Sequence, residues 1–113
     1  MNIDSWKSQL RKGAAELAVL SLIKRQPASG TAILDLLSSY PEVGLSDGSI
    51  YPLLNRLERE GRISGTWAAP KGGGRGQKTY TITAEGKAAL NEMKAVWDGF
   101  RKQLSSITGD AND

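Results

Sequence analysis

Residues 45–61 read LSDGSIYPLLNRLEREG, and the spacing of the apolar members decides what they form. Ile50, Leu53, Leu54 and Leu57 fall at i, i+3, i+4 and i+7, the recurrence of one buried helical face. Ser46 supplies a polar start and Gly61 a stop. At 3.6 residues per turn the opposite face carries Gly48, Pro52, Asn55 and Arg59, flanked by Tyr51 and Arg56. Arginines, an amide, a phenol and small residues, with no carboxylate at the centre, suit the major groove of DNA. There Arg reaches guanine and Asn reaches adenine. A solvated face on an ordinary core helix would show the same pattern, so the rest of the chain has to decide.

The bulk properties narrow the field. At 113 residues the chain has room for one modest core. Hydrophobic residues make up 39% and charged residues 24%, a globular rather than a disordered balance. Cysteine is absent, which removes disulfides, thiol nucleophiles and thiolate metal sites. Histidine is absent too, and with it the usual general base and the commonest metal ligand. The helical carboxylates Glu16, Asp35 and Glu58 belong to no catalytic constellation. No enzyme activity, metal or cofactor is therefore expected. Charges interrupt the early sequence, and the longest nearly apolar run, residues 14–23, contains Glu16 and is too short to span a bilayer. A cytoplasmic, bacterial protein without a membrane partner is the expectation.

Net charge is only +3, but it is unevenly spread. Residues 1–61 hold seven basic and seven acidic side chains, whereas residues 62–87 hold five basic and one acidic. The excess follows directly on the opening helix, where a polyanion contact would sit.

Upstream, a first helix is expected from about Asp4 or Ser5, either able to cap it, to about Lys24. Its second half is apolar nearly all round, which implies burial on more than one side and a second copy as part of the cover. A second helix is expected over residues 29–39. Pro52 is awkward for a third helix starting at Asp47, because its ring denies a bond to an upstream carbonyl. Downstream the period changes to two. Residues 62–69 (RISGTWAA) and 77–83 (QKTYTIT) alternate as strands do, around a tip at 70–76 that carries Lys71 and Arg75. With Lys78 beside it, this hairpin reads as a phosphate-contacting arm, the bland alternative being a flexible connector. Trp67, in the first of these strands, is expected to cover the hairpin against the helices.

Thr83 caps a final helix that ends at Gly109. Its stripe of Met93, Val96, Trp97, Phe100, Leu104 and Ile107 runs along roughly 37 Å, more than so small a core can cover. A partner helix from a second copy is the simplest remedy, with Leu17 and Leu20 of the first helix joining that interface. The fold class is thus mainly α with a β-hairpin wing (α+β), a winged helix-turn-helix over residues 1–83. A dimerisation helix over residues 84–109 and a disordered tail over 110–113 complete it.

The residues also resemble a known family. Residues 10–97 are similar to the PadR-like transcriptional regulators, through three motifs. LRKGAAELAVLSLIKRQPASG (10–30) looks like the family's opening helix and following glycine. SDGSIYPLLNRLEREGRI (46–63) matches its recognition-helix signature, the most specific of the three. RGQKTYTITAEGKAAL (75–90) resembles the wing's return strand. Thr31 stands where a tyrosine is frequent, Thr79-Tyr80 reduces a pair of aromatics, and Gln77 and Thr81 replace residues that are often basic. The single terminal helix resembles the small-subtype members, homodimers whose last helix packs on the partner's first and last helices.

The resemblance implies a DNA-binding regulator, a homodimeric repressor of a pseudo-palindromic operator. Tyr51, Pro52, Asn55, Arg56 and Arg59 would face double-stranded DNA. Ser46 and Ser49 would bind phosphate at the helix start, and Lys71, Arg75 and Lys78 would reach it from the wing. Some members hold planar aromatic ligands between symmetry-related tryptophans. Trp97 matches that position and Trp6 lies where it would line the same cleft, although Trp97 equally suits plain packing of a dimer core. A rival reading from another class is a winged-helix protein–protein module that never touches DNA, with which Glu58 and Glu60 near the end of the third helix are compatible.

Overall fold

The computed structural model describes residues 1–68 and 76–109. Among these residues the order is α1 (Ile3–Arg25), β1 (Ala28–Ser29), α2 (Gly30–Leu37), α3 (Asp47–Arg59), β2 (Ile63–Ala68), β3 (Gln77–Ile82) and α4 (Ala84–Thr108). This is the expected α+β winged helix with a long closing helix. The expected tail and the wing residues Lys71 and Arg75 lie outside the described residues.

Local chemistry sets the ends. α1 starts earlier than expected because Asn2, not Asp4 or Ser5, caps it. The Asn2 side chain accepts from the N–H groups of Asp4 at 3.0 Å and Ser5 at 3.4 Å. α3 does begin at Asp47, with the N–H groups of Ser49 and Ile50 both on the Ser46 carbonyl at 3.0 and 2.9 Å. Pro52 sits one turn in, and Gly48, whose carbonyl it leaves without that bond, is exposed to water. At the other end Gly61, at φ +78°, turns the chain through the left-handed region. The N–H of Arg62 then returns to the Leu57 carbonyl at 2.9 Å, closing α3 and launching β2.

The core lies where α1, α2, α3 and the sheet meet. Val19, Leu20 and Ile23 of α1 pack there with Ile33 of α2, with Ile50, Leu54 and Leu57 of α3, and with Ile63, Tyr80 and Leu90. Leu20 is fully buried within its own chain, so it is not free for the dimer contact expected of it. In the greasy second half of α1, Val19, Leu20, Leu22 and Ile23 are buried within their own chain, where α1 packs on α4, β3 and α2. The sheet also holds a strand that sequence reading overlooked. Its order is β1-β3-β2, antiparallel throughout, with Ala28 opposite Tyr80 and Ser29 opposite Thr79. Two residues after a proline show no periodicity, and only their partner reveals them.

α4 leaves the core early. Thr83 caps it, accepting from the Gly86 N–H at 2.9 Å, and Gly86 lies so close to the Arg62 carbonyl that a Cβ would overlap it. Leu90 is buried and Met93 half-buried, but among the described residues the apolar stripe is exposed from Val96 onward. Val96 is 72% exposed and Ile107 82%. Trp6 and Leu10 on the first half of α1 are exposed as well. Trp67, expected to lie over the helices, is instead 68% exposed on the wing.

Candidate nucleic-acid interface

Helix α3 is divided lengthwise. Ile50, Leu54 and Leu57 are completely buried, which fixes its rotation about its own axis. The residues left in solvent are Ser46, Asp47, Gly48, Ser49, Tyr51, Pro52, Asn55 and Arg59. Tyr51, Pro52, Asn55 and Arg59 thus share one outward stripe, as their spacing requires. Tyr51 is steadied from behind: its ring lies against Gly30, where a Cβ would come within 2.5 Å, and its hydroxyl stands 3.5 Å from that of Thr31. The hydroxyl of Ser46 donates to that of Ser49 at 3.3 Å, so both are held at the start of the helix.

Arg56 departs from the expected picture. Its guanidinium turns toward α1 and donates to Glu16 Oε1 at 2.7 Å and to Glu60 Oε1 at 3.2 Å. The other oxygen of Glu16 accepts from Arg62. The hydrogen bond to Glu16, ahead of the attraction of Glu16 and Glu60, raises the Arg56 pKa above its ordinary value. A side chain held this way fastens α3 to α1 and is not on the outward stripe.

Lys78 is committed too. Its ammonium donates to Glu58 Oε1 at 2.7 Å, while Glu58 Oε2 accepts the Gly65 N–H at 3.2 Å. The same ammonium lies 5.8 Å from the Trp67 ring centre and 5.5 Å from that of Tyr80. The Lys78 hydrogen bond lowers the pKa of Glu58, and the reciprocal bond raises that of Lys78. Burial raises the Tyr80 phenol. Lys78, expected to reach phosphate, therefore clips the wing to the C-terminal half of α3. Gly65 makes the clip possible, since a Cβ there would strike Lys78.

A second surface lies between α1 and α4. Leu10, Gly13, Leu17, Met93, Val96, Trp97 and Phe100 line a groove of about 730 Å³, with Glu16, Glu92 and Arg62 at its polar margin. Trp97 and Phe100 stack with ring centres 6.1 Å apart and planes 25° apart. Trp97 and Leu17 lie in the groove wall, whereas Trp6 is exposed on α1 outside it.

Residues 19–92 match the model of the transcriptional regulator PadR-like family, well over half of the chain. The chain belongs to the PadR-like family of transcriptional regulators. A PadR-like transcriptional regulator from Bacillus cereus is 32% identical at a TM-score of 0.78, covering 88% of this chain and 96% of that one. A PadR family regulator from Eggerthella lenta is 28% identical at a TM-score of 0.83, covering 94% and 91%. No curated protein matches. Membership makes this PadR-like chain a DNA-binding regulator and not an enzyme. Among the described residues no helix is long and apolar enough to cross a membrane.

Three residues that hold the PadR-like interface together escaped sequence reading. In the sequence Glu16 and Glu58 are helical carboxylates outside any catalytic constellation, with no partner visible. Gln77, noted only as an unusual residue in the wing, donates to the Ser29 hydroxyl at 3.0 Å, the same oxygen that caps α2 through the Ala32 N–H. Only Glu16 carries a signal, an ionisable side chain between Ala15 and Leu17 that asks for a partner without naming it.

Proposed function

We propose that this regulator acts as a homodimer in the bacterial cytoplasm. In this reading it represses transcription from a pseudo-palindromic operator, and a small planar aromatic effector at the dimer centre releases it. The division of α3 carries the DNA-binding part, because a core-locked helix presents Tyr51, Asn55 and Arg59 outward with no carboxylate among them. Ser46, Ser49 and Pro52 border that stripe, and Lys71 and Arg75 lie on the segment between β2 and β3. The uncovered stripe of α4 supports the dimer: Val96, Phe100, Leu104 and Ile107 are too apolar and too contiguous to remain in water. Two-fold symmetry then places two α3 helices toward half-sites about one helical turn, or a multiple of it, apart. A bound dimer occupies the groove that other proteins would read.

The groove beside Trp97 and Phe100 has the apolar wall and the volume of a small-molecule site. An effector there changes DNA affinity only through a difference in its affinity for the two α3 separations. Sedimentation equilibrium and a salt-dependent gel shift on the chain's own upstream DNA test the core of the reading. A dimer that shifts this DNA is expected. A stable monomer, or a dimer that shifts no duplex at any salt, refutes it. The effector is tested by titrating a planar aromatic dye while following tryptophan fluorescence in wild type and Trp97→Ala. Binding that survives unchanged in the variant rules out stacking on Trp97.

A further inference from the structure

On the flank of α3 facing α1 lies a second groove, of about 550 Å³, and it is basic. Arg11 and Lys12 of α1 form one wall, and Ser46, Ser49 and Arg59 belong to the other. None of its lining residues is a carboxylate. Arg56 also lines it, but its charge is met by Glu16 and Glu60. The charges of Arg11, Lys12 and Arg59 are not cancelled in this way. Among the described residues Arg11 donates to main-chain carbonyls, Glu42 at 3.0 Å and Pro41 at 3.2 Å, and forms no ion pair. The Glu42 carboxylate turns to Lys7, 3.7 Å away. Lys12 and Arg59 are exposed and have no acidic partner among the described residues. Because Ser46 donates its hydroxyl hydrogen to Ser49, the hydrogen of Ser49 is left to donate outward.

The position of the groove decides what fills it. Pro52 and Arg59 line it and also belong to the outward stripe, which Ser49, another lining residue, borders. An α-helix about 10–12 Å across fills a major groove about 12 Å wide, so a sugar-phosphate strand must run along each of its flanks. The flank toward α1 is this basic trough. We propose that it seats the DNA backbone and that Lys12 of α1, assigned to no function above, contacts phosphate there, with Arg59 and the Ser49 hydroxyl beside it. The first helix then does more than build the core, because one of its faces grips the duplex. The inference rests on the entry of α3 into the major groove.

The test uses the full-length protein with two duplexes of about 30 base pairs, roughly three helical turns. One comes from DNA upstream of its own coding region and the other is a scramble of the same composition. Affinities of wild type, Lys12→Gln and Lys12→Arg are measured by fluorescence anisotropy across a salt series. Each phosphate contact contributes about 0.9 to the slope of log K against log salt. Lys12→Gln is therefore expected to flatten the slope by about 0.9 per bound protomer. Between 50 and 200 mM salt it would lose about 3.5-fold less affinity per protomer than wild type does. The loss is expected to be equal on both duplexes, and Lys12→Arg is expected to keep the wild-type slope. Wild-type slope and affinity in Lys12→Gln would overturn the proposal while leaving α3 in the groove. A loss confined to one sequence with the slope unchanged would overturn it as well, by making Lys12 a base reader. If wild type binds neither duplex, the DNA-binding reading falls and this inference with it.

Discussion

Replacing Glu16 by glutamine keeps the shape of the side chain and removes the charge on which two arginines converge. The carboxylate side chain is 19% exposed and accepts from Arg56 at 2.7 Å and from Arg62, while the arginines are 40% and 34% exposed. A hydrogen bond to a charged group is worth about 1.5–3 kcal/mol when sheltered, and an open ion pair about 0–1 kcal/mol. Glutamine retains one acceptor oxygen but turns an amide N–H group toward the second guanidinium. With both partners partly in water, the sheltered figure has to be discounted, which leaves a loss of about 2 kcal/mol. For a domain of this size that corresponds to a fall in Tm of about 8 °C. Urea denaturation and thermal scans at one fixed protomer concentration would measure it, since dimerisation makes apparent stability depend on concentration. A double-mutant cycle with Arg56→Gln should show about 1 kcal/mol of coupling. Both Glu16→Gln and Arg56→Gln should leave the preferred operator sequence unchanged. A loss below about 0.5 kcal/mol, additive with that of Arg56→Gln, would mean that the network holds nothing. Relaxed sequence choice in Arg56→Gln would show that the arginine leaves Glu16 to read a base.

Three further outcomes are expected. Asn55→Ala should cost about 1–3 kcal/mol on the operator and relax sequence choice, as seen by comparing operator variants in gel shifts. Glu58→Gln should loosen the wing in a pH-dependent way. Because the folded carboxylate has a lowered pKa, its stabilisation is present above the ordinary carboxylate range and fades as pH falls through the lowered value. Urea midpoints of wild type and variant should therefore differ most near neutral pH and converge in acid, and a constant difference would contradict the Glu58–Lys78 clip. Gly86→Ala should destabilise by about 1–3 kcal/mol, because its methyl group meets the Arg62 carbonyl and main chain yields only by shifting α4 against β2. An unchanged melting curve would show that this contact has slack.

Much of this protein is written in short-range rules. The period of Ile50, Leu53, Leu54 and Leu57 gives α3, the alternation around Thr66 and Tyr80 gives the hairpin, and Ser46, Gly61, Thr83 and Gly109 mark the helix ends. These features depend on neighbours within a turn or a strand pair, so the sequence alone determines them, along with the outward stripe of Tyr51, Asn55 and Arg59. Only the tertiary structure decided what distant parts do to one another. It buried Leu20 within its own chain and paired Ala28 with Tyr80 across 52 positions. It also turned Arg56 away from the stripe onto Glu16, 40 positions upstream. A charged side chain announces that it needs a partner, but which partner comes within 3 Å depends on how the helices cross, and no local pattern of residues encodes that crossing.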